Sequence, residues 1–93
     1  MTEIDVQTIK AADPLVFRVT VREGTGETQH RVTLARADYE RLSGGEASPE
    51  ALVSESFRFL LEREPKEAIL LSFDLPVIGR YFPDYERSIR QRL

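Results

Sequence analysis

From Leu15 to Arg22 the chain alternates apolar and polar positions without a break, and no other feature constrains the fold as strongly. Leu15, Phe17, Val19 and Val21 fall on one side, with Val16, Arg18, Thr20 and Arg22 on the other. A period of two is the signature of an extended strand with one face turned to a core. Glu23-Gly24-Thr25-Gly26-Glu27 then supplies a turn with two glycines able to take positive φ. The return strand, Thr28 to Ala35, places His30, Val32 and Leu34 on one face and Gln29, Arg31 and Thr33 on the other. The pattern predicts an antiparallel hairpin with one wet and one dry face. Upstream, Ile4, Val6 and Ile9 predict a further short strand, which Ala11-Ala12-Asp13-Pro14 breaks.

Beyond Ala35 the period changes. Arg36 to Leu42 predicts a brief helix, with Tyr39 and Leu42 one turn apart and Ser43-Gly44-Gly45 ending it. Ser48 fits an N-cap, Pro49 a first helical position, and Glu50 the positive end of the helix dipole. The helix they open runs to Glu64. Its apolar residues, from Leu52 to Leu61, sweep an arc of about 200°, wider than the roughly 100° of a one-sided surface helix. This helix is expected to be covered on two sides. After Pro65 a short helix is predicted over Ala68 to Phe73. Asp74 then caps another helix that begins at Leu75-Pro76 and stops at Pro83, and residues 84–93 add a last turn or two.

Composition narrows the class. Ninety-three residues, 41% hydrophobic and 31% charged, suit one globular domain with a single modest core. The absence of cysteine removes disulfides, thiolate nucleophiles and cysteine metal ligands together. The first residues show neither a basic start nor an apolar run, and no segment approaches the roughly 18 apolar residues of a membrane span. A cytoplasmic location, with no membrane partner, is the expectation. The net charge is −3; of the local segments only residues 80–93 lean basic, with four arginines against Asp84 and Glu86.

Few constellations carry chemistry. His30 is the sole histidine and shares a strand face with Val32 and Leu34, whereas a metal site needs about three protein ligands. Glu62, Glu64 and Glu67 read with Arg63 and Lys66 as helix ion pairs. The serines lack a glycine elbow, and the five glycines form no phosphate loop. Neither a catalytic residue nor a cofactor or metal is expected, and the chain is read as non-enzymatic. The unusual patch is Pro76-Val77-Ile78-Gly79-Arg80-Tyr81-Phe82-Pro83, because Tyr, Phe and Arg are the side chains enriched at interface cores. Arg80, Tyr81, Phe82, Tyr85 and Arg87 are the candidate protein-interaction residues.

Two resemblances bear on function. Phe59-Leu60-Leu61-Glu62-Arg63-Glu64-Pro65-Lys66-Glu67, with Phe73-Asp74-Leu75, Ile78 and Tyr81-Phe82-Pro83, resembles a set of short uncharacterised bacterial proteins over residues 55–86. It implies a bacterial source and brings no assigned activity with it. Strand, helix, Gly44-Gly45 break and helix over residues 29–64 resemble the ribbon-helix-helix regulators and antitoxins. That likeness implies a dimer whose paired strands enter the major groove. Gln29, Arg31 and Thr33 would then read base edges, and the helix end at Ser48 would hold a phosphate. Glu46 and Glu50 beside Ser48 oppose such a phosphate, and the Leu15–Arg22 strand already competes for the partner edge.

The expected fold is α+β in a single domain spanning residues 1–93. An N-terminal antiparallel hairpin or three-stranded sheet (1–35) packs against three to four short helices (36–93). The expected function is a small interaction module with an unknown protein partner, monomeric rather than homodimeric. DNA is the partner only under the alternative regulator reading.

Overall fold

The computed structural model describes residues 2–93 and forms an α+β fold around one four-stranded sheet. Strands β1 (Thr2–Lys10), β2 (Leu15–Glu23) and β3 (Gly26–Leu34) run antiparallel in that order. The predicted hairpin forms, with Leu15 opposite Leu34 and Glu23 opposite Gly26. Its turn is tighter than expected: only Gly24 takes positive φ, at 62°. The upstream strand is longer than expected, nine residues, and a register irregularity between Thr8 and Lys10 leaves Ile9 outside the pairing.

The fourth strand corrects the expectation that the sheet is confined to the N-terminal third. Ser72–Asp74 (β4) lies parallel to β3, pairing Arg31 with Ser72, Val32 with Phe73 and Thr33 with Asp74. The helix expected over Ala68 to Phe73 is absent; a single 3-10 turn at Lys66–Ala68 is followed by extended chain. A parallel neighbour demands a crossover. Helices α1 (Arg36–Ser43) and α2 (Pro49–Leu61) make it, and so belong to the sheet's core face.

Local chemistry sets the helix ends. Arg36 N–H donates to Asp13 Oδ1 at 3.1 Å, so the connection between β1 and β2 caps α1. Gly44, at φ 69°, closes α1 through its N–H to the Glu40 carbonyl. Ser48 Oγ accepts from Ala51 N–H at 3.1 Å and starts α2 as expected. Asp74 does not cap: its Oδ1 accepts from the Thr33 hydroxyl at 2.7 Å, while Leu75–Val77 forms a 3-10 turn leading into α3 (Ile78–Tyr81). The chain closes with α4 (Tyr85–Arg92).

The wide arc of α2 has the predicted consequence. Phe57 faces the sheet, with its ring centroid 5.3 Å from His30 and 6.0 Å from Phe73. Phe59 faces the C-terminal helices, meeting Phe82 edge-on at 5.9 Å and Tyr85 at 5.4 Å. Both phenylalanines are fully buried. Phe17, Val19, Val21, Val32 and Leu34 line the core from the sheet side. None of the described helices is long and apolar enough to cross a membrane.

Candidate interaction surface

Where α2 ends, the chain must reverse to reach β4, and the reversal leaves a groove. Glu62, Arg63 and Glu64 turn the backbone onto Leu60 and Arg58 carbonyls, and Pro65 opens the 3-10 turn. Ile69 drops into the core, and β4 carries Phe73 to the same side. Ile78 and Tyr81 of α3 form the facing wall. The resulting groove encloses about 180 Å³ and is lined by Leu60, Ile69, Leu70, Phe73, Val77 and Tyr81 among others, with Glu64 as its one charged residue.

The rim is unusually apolar for a surface. Tyr81 is 67% exposed and Leu70 47%, on two segments that border one depression, and Leu71, next to Leu70 in the chain, is 68% exposed. Leu70 is held in place from below. Its carbonyl accepts from His30 Nδ1 at 2.8 Å, and Arg31 N–H donates to the Leu71 carbonyl at 2.8 Å. His30 Nε2 lies 2.9 Å from the Thr28 hydroxyl, so both ring nitrogens are occupied. The sole histidine is a buried strut beneath the groove wall. Among the described residues, no three acidic, histidine or cysteine side chains cluster as metal ligands.

The candidate interaction residues separate. Tyr81 stands on the groove rim, and Phe82 is half-buried against Phe59 while lining the same groove. Arg80 and Arg87 are exposed and border a different, shallow cleft with Asp84 and Glu86. Tyr85 is not on the surface at all: it is fully buried, its hydroxyl 2.7 Å from Ser56 Oγ. Ser56 donates its own hydrogen to the Leu52 carbonyl at 2.7 Å, so Tyr85 is the donor. Burial pushes the Tyr85 phenol up. The groove residues Ile69, Leu70 and Phe73 were missed in the sequence because their segment was read as helix.

Ion pairs brace the outer side of α2. The Arg63 guanidinium sits 3.6 Å from the Phe59 ring centroid and 3.0 Å from Asp84. Arg92, bonded to Glu62, holds that carboxyl below its usual range. Glu67 is lowered likewise by Lys66, whose chain is buried against Gly26.

The residues of the regulator alternative also separate. Gln29, Arg31 and Thr33 lie together on the solvent face of β3, but Thr33 donates to Asp74. Ser48 Oγ is engaged as the α2 cap, and neighbouring Glu50 accepts from Thr8. β3 has β2 along one edge and, from Arg31 to Thr33, β4 along the other. Comparison with protein families, with curated proteins and with solved structures finds no match to this chain.

Proposed function

We propose that this chain is a small non-enzymatic interaction module, and that its partner docks a protruding apolar side chain into the groove beside Tyr81. One observation carries the reading: two large apolar side chains, Leu70 and Tyr81, stand exposed at the edge of a single apolar depression, with exposed Leu71 next in the chain. Scattered exposed apolar residues need no explanation, but a cluster rimming a concavity supports an interaction site.

Size argues for a protein partner over a small molecule. Ligand pockets span roughly 300–1,000 Å³. At about 180 Å³ this groove suits one anchoring side chain, the way interface hot spots seat in pockets. The regulator alternative requires β3 to pair with its twin. β2 fills one of its edges and β4 takes Arg31 to Thr33 of the other within one chain, which favours the interaction module.

The test is site-directed photocrosslinking from position 81, compared with position 91 on α4. A partner that crosslinks only from position 81, and is lost in Leu70→Asp, supports the groove. Equal crosslinking from both positions, or capture unaffected by Leu70→Asp and Tyr81→Ala, overturns it. Both substitutions fall on exposed side chains, so each variant is expected to keep its stability within about 0.5 kcal/mol.

A further inference from the structure

We propose that the solvent face of the sheet holds a phosphate-binding site built by Arg18 and Arg31. These two residues are Cα partners in the β2–β3 register, so their side chains rise next to each other from adjacent strands. Elsewhere in the sheet, facing charges are opposite in sign: Arg22 lies between Glu3 and Glu27 and bonds to both, at 2.9 and 3.0 Å. At the sheet's centre two cations face each other, and among the described residues neither has an ion-pair partner. Like charges placed directly opposite destabilise a strand pair. A feature that costs stability at the middle of an otherwise charge-matched face is what a binding function leaves behind.

Arg18 and Arg31 stand exposed beside covered neighbours. Val16 and Thr20 flank Arg18 on the same face, yet they are only 5% and 6% exposed. Along the row across the sheet, Gln7 stands beside Arg18 and Ser72 beside Arg31, adding an amide and a hydroxyl to two guanidinium forks. Two such forks match the several acceptor oxygens of one phosphate group.

The charge distribution selects a single phosphate over a polyanion. Glu3, Glu27 and Asp5 stand toward one end of the face and Asp74 toward the other, and the whole chain is acidic. A nucleic-acid backbone laid along the strands meets these carboxylates, whereas nucleic-acid binding is driven by neutralising many phosphates at once. The ligand class is therefore a phosphomonoester, either free or carried on a phosphorylated serine or threonine of a protein.

The experiment is an NMR titration of the labelled chain with inorganic phosphate, with a phosphoserine hexapeptide and its unphosphorylated form, and with a single-stranded oligodeoxynucleotide. Shifts centred on Gln7, Arg18, Arg31 and Ser72 are expected with the phosphorylated probes only. A peptide tighter than inorganic phosphate assigns the source to a protein; equal affinities assign it to a free phosphate. Arg18→Gln and Arg31→Gln are each expected to weaken binding about tenfold, as loss of one charge-assisted fork implies, without lowering Tm. Arg80→Gln leaves binding unchanged. Absent shifts, equal loss in Arg80→Gln, or tighter, steeply salt-dependent binding of the oligonucleotide overturns the proposal. Neither arginine touches the apolar groove, so this result and the fate of the interaction module are independent.

Discussion

The His30 ring donates from Nδ1 to the Leu70 carbonyl at 2.8 Å, tying the middle of β3 to the loop that enters β4. Through that bond a buried side chain of the sheet sets the position of an exposed groove residue. His30→Ala removes the donor and opens a void against Phe57, at an expected cost of about 2–4 kcal/mol. The loss is not spread evenly. In hydrogen exchange, the Arg31 amide, which bonds the Leu71 carbonyl, is expected to lose more protection than the amides in the middle of α2. Uniform loss across both would show that His30 is only core volume.

Tyr85 gives stability a dependence on alkaline pH. Its folded phenol is raised by burial, and ionisation also removes the hydrogen it donates to Ser56. A raised folded value means the unfolded chain releases the proton first. The contribution is fully present below the ordinary tyrosine value of about 10 and is lost as pH rises beyond it. Tyr85→Phe is expected to cost about 1 kcal/mol at neutral pH, because Ser56 keeps its bond to Leu52. The same variant flattens the alkaline limb of stability against pH, measured by denaturant unfolding. An unchanged limb would mean that other groups govern alkaline unfolding.

Much of this fold was legible where the pattern is local. Alternation gave the β2–β3 hairpin and its core face, and the wide arc of α2 foretold Phe57 and Phe59 facing opposite layers. β4 was not legible for a physical reason. It has three residues, its pairing with β3 spans some forty positions along the chain, and a short apolar run such as Ala68 to Phe73 fits either a buried strand or a helix. Missing β4 also hid the groove, whose wall it builds. Tyr85 was assigned to the surface, although its spacing of one turn from Ile89 marks the buried stripe that both occupy. Arg31 was singled out from sequence, but its neighbour Arg18 appeared only once the register was known.

Glycine substitutions separate backbone strain from crowding. Gly44 has φ 69°, and a Cβ there meets nothing within 4 Å. Gly44→Ala is therefore expected to cost about 1 kcal/mol through conformation alone, with Gly44→Asn closer to wild type. A Cβ on Gly26 instead reaches 2.9 Å from Lys66 Nζ, the mobile tip of a buried side chain. Gly26→Ala should displace that tip and weaken its contact with Glu67, while Gly26→Ala combined with Lys66→Ala relieves the clash. Thermal melts of the four variants distinguish the two mechanisms. Equal costs at both glycines in either background would contradict this division.

Arg63 tests whether the lid over α2 depends on the shape of its charge. Its guanidinium lies 3.6 Å from the Phe59 ring centroid, donates 3.2 Å to the Phe59 carbonyl and pairs with Asp84 at 3.0 Å. One planar group therefore stacks on the ring and links the end of α2 to the start of α4. Lysine keeps the charge but loses the plane and the fork. The Asp84 pair is solvent-accessible and contributes about 0.2–1 kcal/mol, and a partly exposed cation–π contact adds about 0.5–1 kcal/mol. Arg63→Ala is expected to cost about 1–2 kcal/mol, and Arg63→Lys to recover less than half of that. Asp84→Asn removes only the ion pair, so it should cost less than either and respond to salt. If Arg63→Lys matched wild type in urea unfolding, charge alone would suffice, and the stacking on Phe59 would contribute nothing to holding α4 against α2.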